Sequence, residues 1–352
     1  MLRTIRNSAA RPARALFRAA PLPGLLFCLG LLLLACCLSV AIGSATLDPS
    51  ALLRALLVSR PSGAADINAH DIVWNIRIPR TLLALCVGAG LGVAGALMQA
   101  LSKNPLAAPN TMGVSAGASF LVVAVTFFLG ITSLAAYTWF SLLGALIAGL
   151  LVYNLGSLGR RGMTPLKLIL AGATITTLFT SLTQGLLVIN ESSLDEVRFW
   201  LAGSVGGRNI NILMQGLPYL LPGLLLALLL GRQMTILSLG DDVARGLGLR
   251  VGLVKALAAA AIILLAGSAV AMAGPIGFVG LVIPHAARGL VRNDYRWVLP
   301  YSLVLGATLL LGSDVVARLV IRPNEIPVGA VTALIGAPVL IWLIRQKGVV
   351  LR

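Results

Sequence analysis

Charged side chains are scarce in this sequence: 11% of its 352 residues are charged, whereas 58% are hydrophobic. A soluble domain carries about 25% charged residues. A chain this apolar cannot cover a globular surface with polar groups, so a soluble enzyme is excluded. The formal net charge is +16, but most of the surface has to face lipid. We therefore interpret the excess as a record of membrane topology and expect no nucleic-acid partner.

Metal ligands and nucleotide-binding motifs are also scarce. The two histidines and four cysteines are His70, His285, Cys28, Cys36, Cys37 and Cys86. The cysteines lie in apolar runs without a C-x-x-C pair, which excludes a zinc site or a disulfide framework. No Gly-Lys dipeptide occurs, and a Walker A loop is therefore absent. We expect no metal and no cofactor on this chain, so any ATP that drives it is hydrolysed elsewhere.

Long apolar runs with almost no charges dominate what is present. They cover residues 19–47, 81–102, 104–159, 168–190, 209–231, 256–287, 297–317 and 326–344. Breaks at residues 130–133 and 274–277 divide two of these eight runs, so the sequence contains ten apolar segments. Because lipid offers no hydrogen-bond partners, each segment has to satisfy its backbone groups internally, as a helix does. The hydrophobicity is continuous rather than alternating, which argues against membrane strands. The sequence predicts an all-α integral membrane protein with ten transmembrane helices, folded as one polytopic domain over residues 1–352.

The first run resembles a secretion signal, because five arginines precede it and Ile42-Gly43-Ser44-Ala45 looks like a cleavage site. Its length and the nine runs that follow favour an uncleaved first span.

The cations predict the orientation of the chain. An even number of spans places both ends on one side, and both ends are basic. If both termini are cytoplasmic, the cytoplasmic segments contain nineteen Lys and Arg and three acidic residues. The external segments contain eight Arg and eight acidic residues. This asymmetry follows the positive-inside rule. Residues 1–20 then form a basic cytoplasmic tail, and residues 232–255 form a cytoplasmic loop.

Two sequence features suggest other functions. Asp314 is an acid inside an apolar run, four residues before Arg318. It predicts a helix-end ion pair, or the relay of an ion-coupled secondary transporter. The segment from Gly113 to Gly117 fits G-x-S-x-G, so Ser115 could pair with His285 in an intramembrane protease. A small-residue packing face is the simpler interpretation, because this segment opens a membrane helix.

Three arginines lie at predicted outer boundaries. Arg77 and Arg80 flank Pro79 before the second span, and Arg318 ends the ninth. They are either snorkelling anchors or a docking patch for an acidic partner or substrate.

The cytoplasmic loop is amphipathic over residues 234–250 and carries several glycines. Its pattern predicts two short helices joined by a turn. Such a loop suits docking into the groove of a partner protein or lying on the membrane surface.

Ordered motifs occur between residues 70 and 345. They begin with Arg77-Ile78-Pro79-Arg80-Thr81-Leu82, Gly95-Ala96-Leu97-Met98-Gln99 and Asn104-Pro105-Leu106-Ala107. They continue with the G-x-S-x-G segment, Leu239-Gly240, Ala244-Arg245, Leu247-Gly248 and Gly277–His285, and end with Asp314–Arg318 and Glu325–Gly329. With these motifs the chain resembles the FecCD or BtuC type of permease, a subunit of bacterial ABC importers for iron–siderophores, haem and vitamin B12.

The resemblance implies a type II importer in the bacterial inner membrane. A second permease subunit, identical or paralogous, would complete the pathway. Two ATPase subunits would bind ATP and Mg, a periplasmic substrate-binding protein would deliver the cargo, and the cargo would be a metal chelate of the ferric-siderophore type.

The resemblance also assigns roles to residues. Arg77, Arg80 and Arg318 match the pocket that meets the binding protein. The ATPase-coupling loop comprises Leu239, Gly240, Asp241, Asp242, Ala244, Arg245, Leu247 and Gly248. Asn104 and Leu106 match a cytoplasmic gate, whereas the second gate element reads Met163-Thr164-Pro165-Leu166 and lacks the Thr-Ser pair of some members. Met98 and Gln99 are candidates for lining the pathway.

Overall fold

The computed structural model describes residues 21–45, 47–57, 64–159, 163–189, 197–322 and 324–347. All regular elements in these ranges are helical. The basic tail over residues 1–20 lies outside them. The α-helices are α1 Pro21–Ala41, α2 Pro49–Leu57, α3 Ala64–Asp71, α4 Ile78–Ser102, α5 Val114–Leu129, α6 Leu134–Ser157, α7 Pro165–Ile189, α8 Ile210–Leu229, α9 Gly231–Leu237, α10 Asp241–Gly246, α11 Val251–Ala273, α12 Val279–Val291, α13 Tyr295–Leu319 and α14 Val328–Lys347. A π-helix, Ile72–Arg77, joins α3 to α4, and a 3₁₀-helix, Pro109–Met112, precedes α5.

Apolar helices occupy all of the predicted runs. Among the described residues, seven helices are long and apolar enough to cross a membrane: α1, α6, α7, α8, α11, α13 and the continuous helix Asp66–Ser102 that contains α4. Three shorter apolar helices are α5, α12 and α14. The chain is therefore a multi-pass membrane protein.

Both predicted breaks are confirmed. Gly130 ends α5 with φ +64°, and the Ser133 side chain accepts a hydrogen bond from the Ala136 amide at the start of α6. Gly274 ends α11 with φ +75°. A positive φ is readily available to glycine, which has no Cβ, so these residues stop one helix and let the chain reverse into the next.

The centre of the bundle is formed by α4 and α11, which are buried along most of their length. A Cβ on Gly88 would lie 2.4 Å from Gly306 O, and one on Gly92 would lie 2.3 Å from Ser302 O. Only glycine allows the backbones of α4 and α13 to approach this closely, as small residues do in membrane helix pairs. The G-x-x-x-G pattern therefore fixes the packing of α4 on α13.

The G-x-S-x-G segment has a packing role. A Cβ on Gly117 would lie 2.4 Å from Gly144 O, so α5 meets α6 at close range. The Ser115 hydroxyl donates to Asn110 Oδ1 at 2.7 Å. These contacts support the small-residue interpretation over the protease.

The first span belongs to the bundle. It packs against α13, and the Tyr301 hydroxyl donates to Pro21 O at 2.8 Å. The segment after α1, which resembles a cleavage site, is held by side chains of α13 and of the π-helix. Between α1 and α4, outside the predicted apolar runs, the chain forms α2, α3 and the π-helix.

Candidate functional site

Three helix ends meet where the predicted docking arginines lie. The carboxyl end of α1, the amino end of α4 and the carboxyl end of α13 bring Arg77, Arg80 and Arg318 into one cluster. These arginines are only 3%, 6% and 1% exposed. We call Arg77, Arg80, Arg318, Asp314 and Glu325 the arginine cluster. Burial on this scale requires each guanidinium to find partners within the protein.

Two of these arginines cap α1. Arg77 donates to Val40 O and Ala41 O, both at 2.8 Å, and to Ala45 O at 2.7 Å. Arg318 donates to Ser39 O at 2.8 Å and Ile42 O at 2.9 Å. The last carbonyls of a helix have no partner within it, and they carry the negative end of its dipole. Two cations satisfy them here, so the arginines tie α1 to the remainder of the bundle.

A buried carboxylate connects two arginines of the cluster. Asp314 is fully buried. It accepts from Arg80 Nη2 at 2.8 Å and also pairs with Arg318 one helical turn later. The ion pair predicted from their spacing is therefore confirmed, although sequence reasoning did not assign Arg80 to it. Two guanidinium groups therefore bind this one carboxylate.

Glu325 completes the cluster at its surface. Arg80 Nη1 donates to Glu325 Oε2 at 2.6 Å, and the glutamate side chain is 29% exposed. Burial alone would raise the pKa of this carboxyl, but Arg80 outweighs burial and holds the pKa below its ordinary value. The cluster's three cations are therefore opposed by two carboxylates and by the end of α1. None of the three arginines extends into water as a snorkelling anchor would.

The loop at the other end of the molecule forms two short helices, as predicted. They are α9 and α10, separated by Gly240 at φ +119°, and Gly248 follows α10 at φ +82°. Ala244 is buried against the bundle. Three apolar side chains point away from the bundle, with exposed fractions of 63% for Leu239, 51% for Val243 and 63% for Leu247. Asp242 and Arg245 form an exposed pair at 2.9 Å.

Asp241 fastens α10 to the bundle. It accepts from Lys103 Nζ at 2.9 Å and from Lys255 Nζ at 2.5 Å, and Lys255 also donates to Met163 O at 3.0 Å. Burial favours the neutral acid, but the bonds from Lys255 and Lys103 outweigh it and keep the pKa of Asp241 below its ordinary value. One carboxylate therefore links the predicted coupling loop to Lys103, beside the first predicted gate segment, and through Lys255 to the second.

The first predicted gate segment is a tight turn after α4. Asn104 Oδ1 accepts from the Leu106 amide at 2.9 Å, and the Ala107 amide donates to Asn104 O at 3.1 Å. The conformation of such a turn is stabilised by its own hydrogen bonds and needs no contact with neighbouring helices. It presents Leu106, which is 47% exposed.

The two candidates for pathway lining lie in a packed interface. Met98 is fully buried and Gln99 is 4% exposed. Gln99 donates to Leu281 O at 3.1 Å and accepts from Arg288, so it joins α4 to α12. Their role in the pathway stays a prediction that requires α4 and α12 to separate.

The helix α7 carries a polar surface that sequence reasoning missed. It is the least apolar of the seven long helices and, after α1, the least buried. Its exposed polar residues are Thr174, Thr177, Thr180, Ser181 and Gln184. Beside them an open cleft of about 410 Å³ is lined by Asn110, Ser115, Ser119, Thr176, Thr180 and Gln184 among others. The signal was present in the sequence as six hydroxyls and one amide between residues 174 and 184.

Replacing Asp241 by Asn should loosen α10. The substitution keeps the shape but removes the charge that holds Lys103 and Lys255. Hydrogen–deuterium exchange of a peptide covering α10 should be faster in the variant. In the wild type the pKa of Asp241 lies below that of an ordinary aspartate, so the carboxylate stays ionised between pH 8 and pH 5 and the protection it gives should be constant over that range and be lost only at lower pH. Equal exchange in both proteins at pH 7 would contradict this link.

The sequence of the chain matches a known protein family. The profile of the FecCD transport family aligns with residues 31–346. The chain belongs to the FecCD transport family. The resemblance drawn from the motifs is thereby confirmed, and the FecCD profile covers both the arginine cluster and α10.

Two of the relatives that the chain matches are named as permeases of siderophore or ferric enterobactin transport systems. It is 53% identical over 279 residues to the probable siderophore transport system permease protein YfiZ of Bacillus subtilis (strain 168), covering 79% of this chain and 84% of that protein. It is 43% identical over 334 residues to the ferric enterobactin transport system permease protein FepD of Escherichia coli (strain K12), covering 95% and 97%.

A solved structure shares the fold. It is described as an inward-facing conformation of an ABC transporter assigned to the metal-chelate type. The TM-score is 0.79 at 33% identity, over 92% of this chain and 98% of that one.

Proposed function

We propose that this chain is the permease subunit of an ATP-binding-cassette importer that moves a ferric-siderophore-type chelate from periplasm to cytoplasm across the bacterial inner membrane. Energy comes from ATP and Mg bound by two separate ATPase subunits, and this chain holds no cofactor of its own. The family and the iron-chelate relatives support the transport role. The proposal that separate ATPase subunits drive transport rests on the exposed apolar side chains in and beside α10.

The exposed face of α10 suits a protein partner better than lipid. Leu239, Val243 and Leu247 are exposed beside the charged pair of Asp242 and Arg245. Apolar side chains ringed by charges are typical of a surface that docks into a groove. Asp241 then transmits a displacement of α10 to Lys103, which precedes the gate residue Asn104, and through Lys255 to Met163.

The pathway is proposed to run along α7. A hydroxyl- and amide-bearing helix surface is costly against lipid, because lipid offers its side chains no hydrogen-bond partners. A second permease subunit facing this surface across a wet passage would remove that cost. The neutral cleft beside α7 would let a bulky polar chelate pass without binding tightly.

The proposed topology has ten spans with both termini in the cytoplasm. The three shorter apolar helices then count as spans beside the seven long ones. This places α10 inside and the arginine cluster outside, where the periplasmic binding protein docks. Residues 232–255 are the coupling loop of a single polytopic domain that includes residues 1–20 as a basic tail.

Reconstitution tests the function. The permease, its cognate ATPases and its binding protein are placed in liposomes, and uptake of a radiolabelled ferric siderophore is measured. We expect uptake that requires internal ATP and the binding protein and that persists when ionophores collapse all ion gradients. Uptake that follows an ion gradient without ATP would establish an ion-coupled carrier instead.

A further inference from the structure

Arg208 lies beside the arginine cluster, in the loop that leads into α8. A Cβ on Gly206, two residues earlier, would lie 3.3 Å from Glu325 Oε2 and 3.4 Å from Arg80 Nη1. The loop therefore passes over the Arg80–Glu325 pair. It lies at the end of α8 opposite to α9 and α10, on the face that the charge distribution assigns to the periplasm.

The charge of Arg208 is not matched within the described residues. The side chain is 7% exposed, and its contact is a long hydrogen bond of 3.4 Å from Nε to Ser204 O. Burial lowers the pKa of Arg208 to about 10, with no opposing acid. The group is still charged at neutral pH. A buried cation without a partner is costly, and natural proteins retain such costs mostly at functional sites.

The helix end next to Arg208 adds to the positive potential. Asn209 is the N-cap of α8, and its side chain accepts from the Ile212 amide at 3.2 Å. The first turn of α8 contains no acid. The positive end of this 20-residue helix dipole therefore begins directly after Arg208 in the chain. No hydrogen bond of the terminal nitrogens of Arg208 is seen among the described residues, and these nitrogens are not among the fully shielded unpaired atoms there, so they keep some contact with solvent.

The contrast with the arginine cluster is decisive. Arg77, Arg80 and Arg318 have their donors committed to carbonyls, Asp314 and Glu325. An acidic partner would have to displace those contacts. Arg208 presents an available charge a few residues away from the same cluster.

We infer that Arg208 and the amino end of α8 form a carboxylate-binding site, filled by an acidic side chain of the substrate-binding protein when it docks. This inference rests on the proposed function and deepens it. The arginine cluster then builds the platform, and Arg208 supplies the cation that recognises the partner. A protein carboxylate is favoured over a chelate carboxylate, because the site lies on the outer rim rather than beside the polar face of α7.

The test measures docking directly. The permease assembled with its ATPases in lipid nanodiscs is titrated with the cognate binding protein, both chelate-free and loaded. Arg208→Gln should weaken binding of both forms about tenfold or more, mainly through faster dissociation, and Arg208→Lys should restore part of the loss. Arg322→Gln, which removes an exposed cation from the same face, is the matched control and should stay within twofold. A change confined to the loaded protein would show that the chelate supplies the carboxylate and overturn the inference.

A stability measurement separates recognition from folding. Because the charge is buried and unmatched, Arg208→Gln and Arg208→Met should raise the melting temperature of the permease. A structural arginine would show the opposite shift, which would overturn the inference, as would docking within twofold of the wild type. Failure of the proposed function looks different: the wild-type complex itself would then bind no binding protein and take up no chelate with ATP.

Discussion

Replacing Asp314 by Asn is expected to destabilise the permease by about 3 to 5 kcal/mol, the usual cost of removing one member of a buried ion pair. Arg80 and Arg318 would keep their charges in a site where the carboxylate that balances them is gone. The joint between α4, α13 and α1 would be the first to loosen. Thermal unfolding in detergent, followed by the reactivity of Cys86 in α4, should show a lower transition temperature and a lower yield of folded protein.

Glu325→Gln is the matched control for this experiment. It removes a carboxylate from the same Arg80, but the glutamate side chain is 29% exposed and solvent can replace it. We expect a loss of about 1 kcal/mol or less. Equal losses from the two substitutions would show that burial does not set the strength of these pairs. It would also contradict the account of the cluster as a structural joint.

The same chemistry affects how docking at the cluster can be tested. Reversing Arg318 to Glu would place two carboxylates together in a buried site and remove one of the two arginines that cap the end of α1. Reversing Arg77 would remove two bonds to the end of α1 and one to Ala45 in the segment that follows it. Either variant would lose transport through misfolding, whether or not the arginines touch a partner. Substitutions at Arg208 avoid this difficulty.

The apolar helices could be predicted because lipid imposes a simple rule on the sequence. A membrane helix must satisfy its own backbone and expose apolar side chains, so charge-free length alone locates it. Gly130 and Gly274 mark the breaks for an equally local reason. The link between Asp314 and Arg318 is one helical turn long and was also readable.

The partners of the arginines could not be predicted, because they depend on which helix ends meet. Arg77 donates to carbonyls more than 30 residues earlier, and Arg80 pairs with a carboxylate 234 residues later. No local sequence pattern predicts contacts between residues so far apart in the chain. The exposed polar surface of α7 was different: its hydroxyls were visible, but whether they faced the bundle or a passage depended on the packing around them.

Introducing charge on the exposed face of α10 should abolish coupling while leaving the permease folded. Val243→Asp with Leu247→Asp changes two side chains that are 51% and 63% exposed in the isolated chain, so their replacement costs little in folding. If both enter a groove of the ATPase, burying two unpaired carboxylates should cost about 2 kcal/mol or more each. Uptake should fall more than tenfold, and the ATPases should be lost from the purified complex.

Leu57→Asp provides the control for this pair. Leu57 is 80% exposed at the end of α2, far along the chain from the coupling loop. The substitution adds the same charge at an exposed leucine, and co-purification of the ATPases should be unaffected. The melting temperature of the permease alone should match the wild type for all variants. Retention of the ATPases and of full uptake by the double variant would refute docking through α10. The link from α10 through Asp241 to Lys103 and Met163 would then serve the fold rather than the transport cycle.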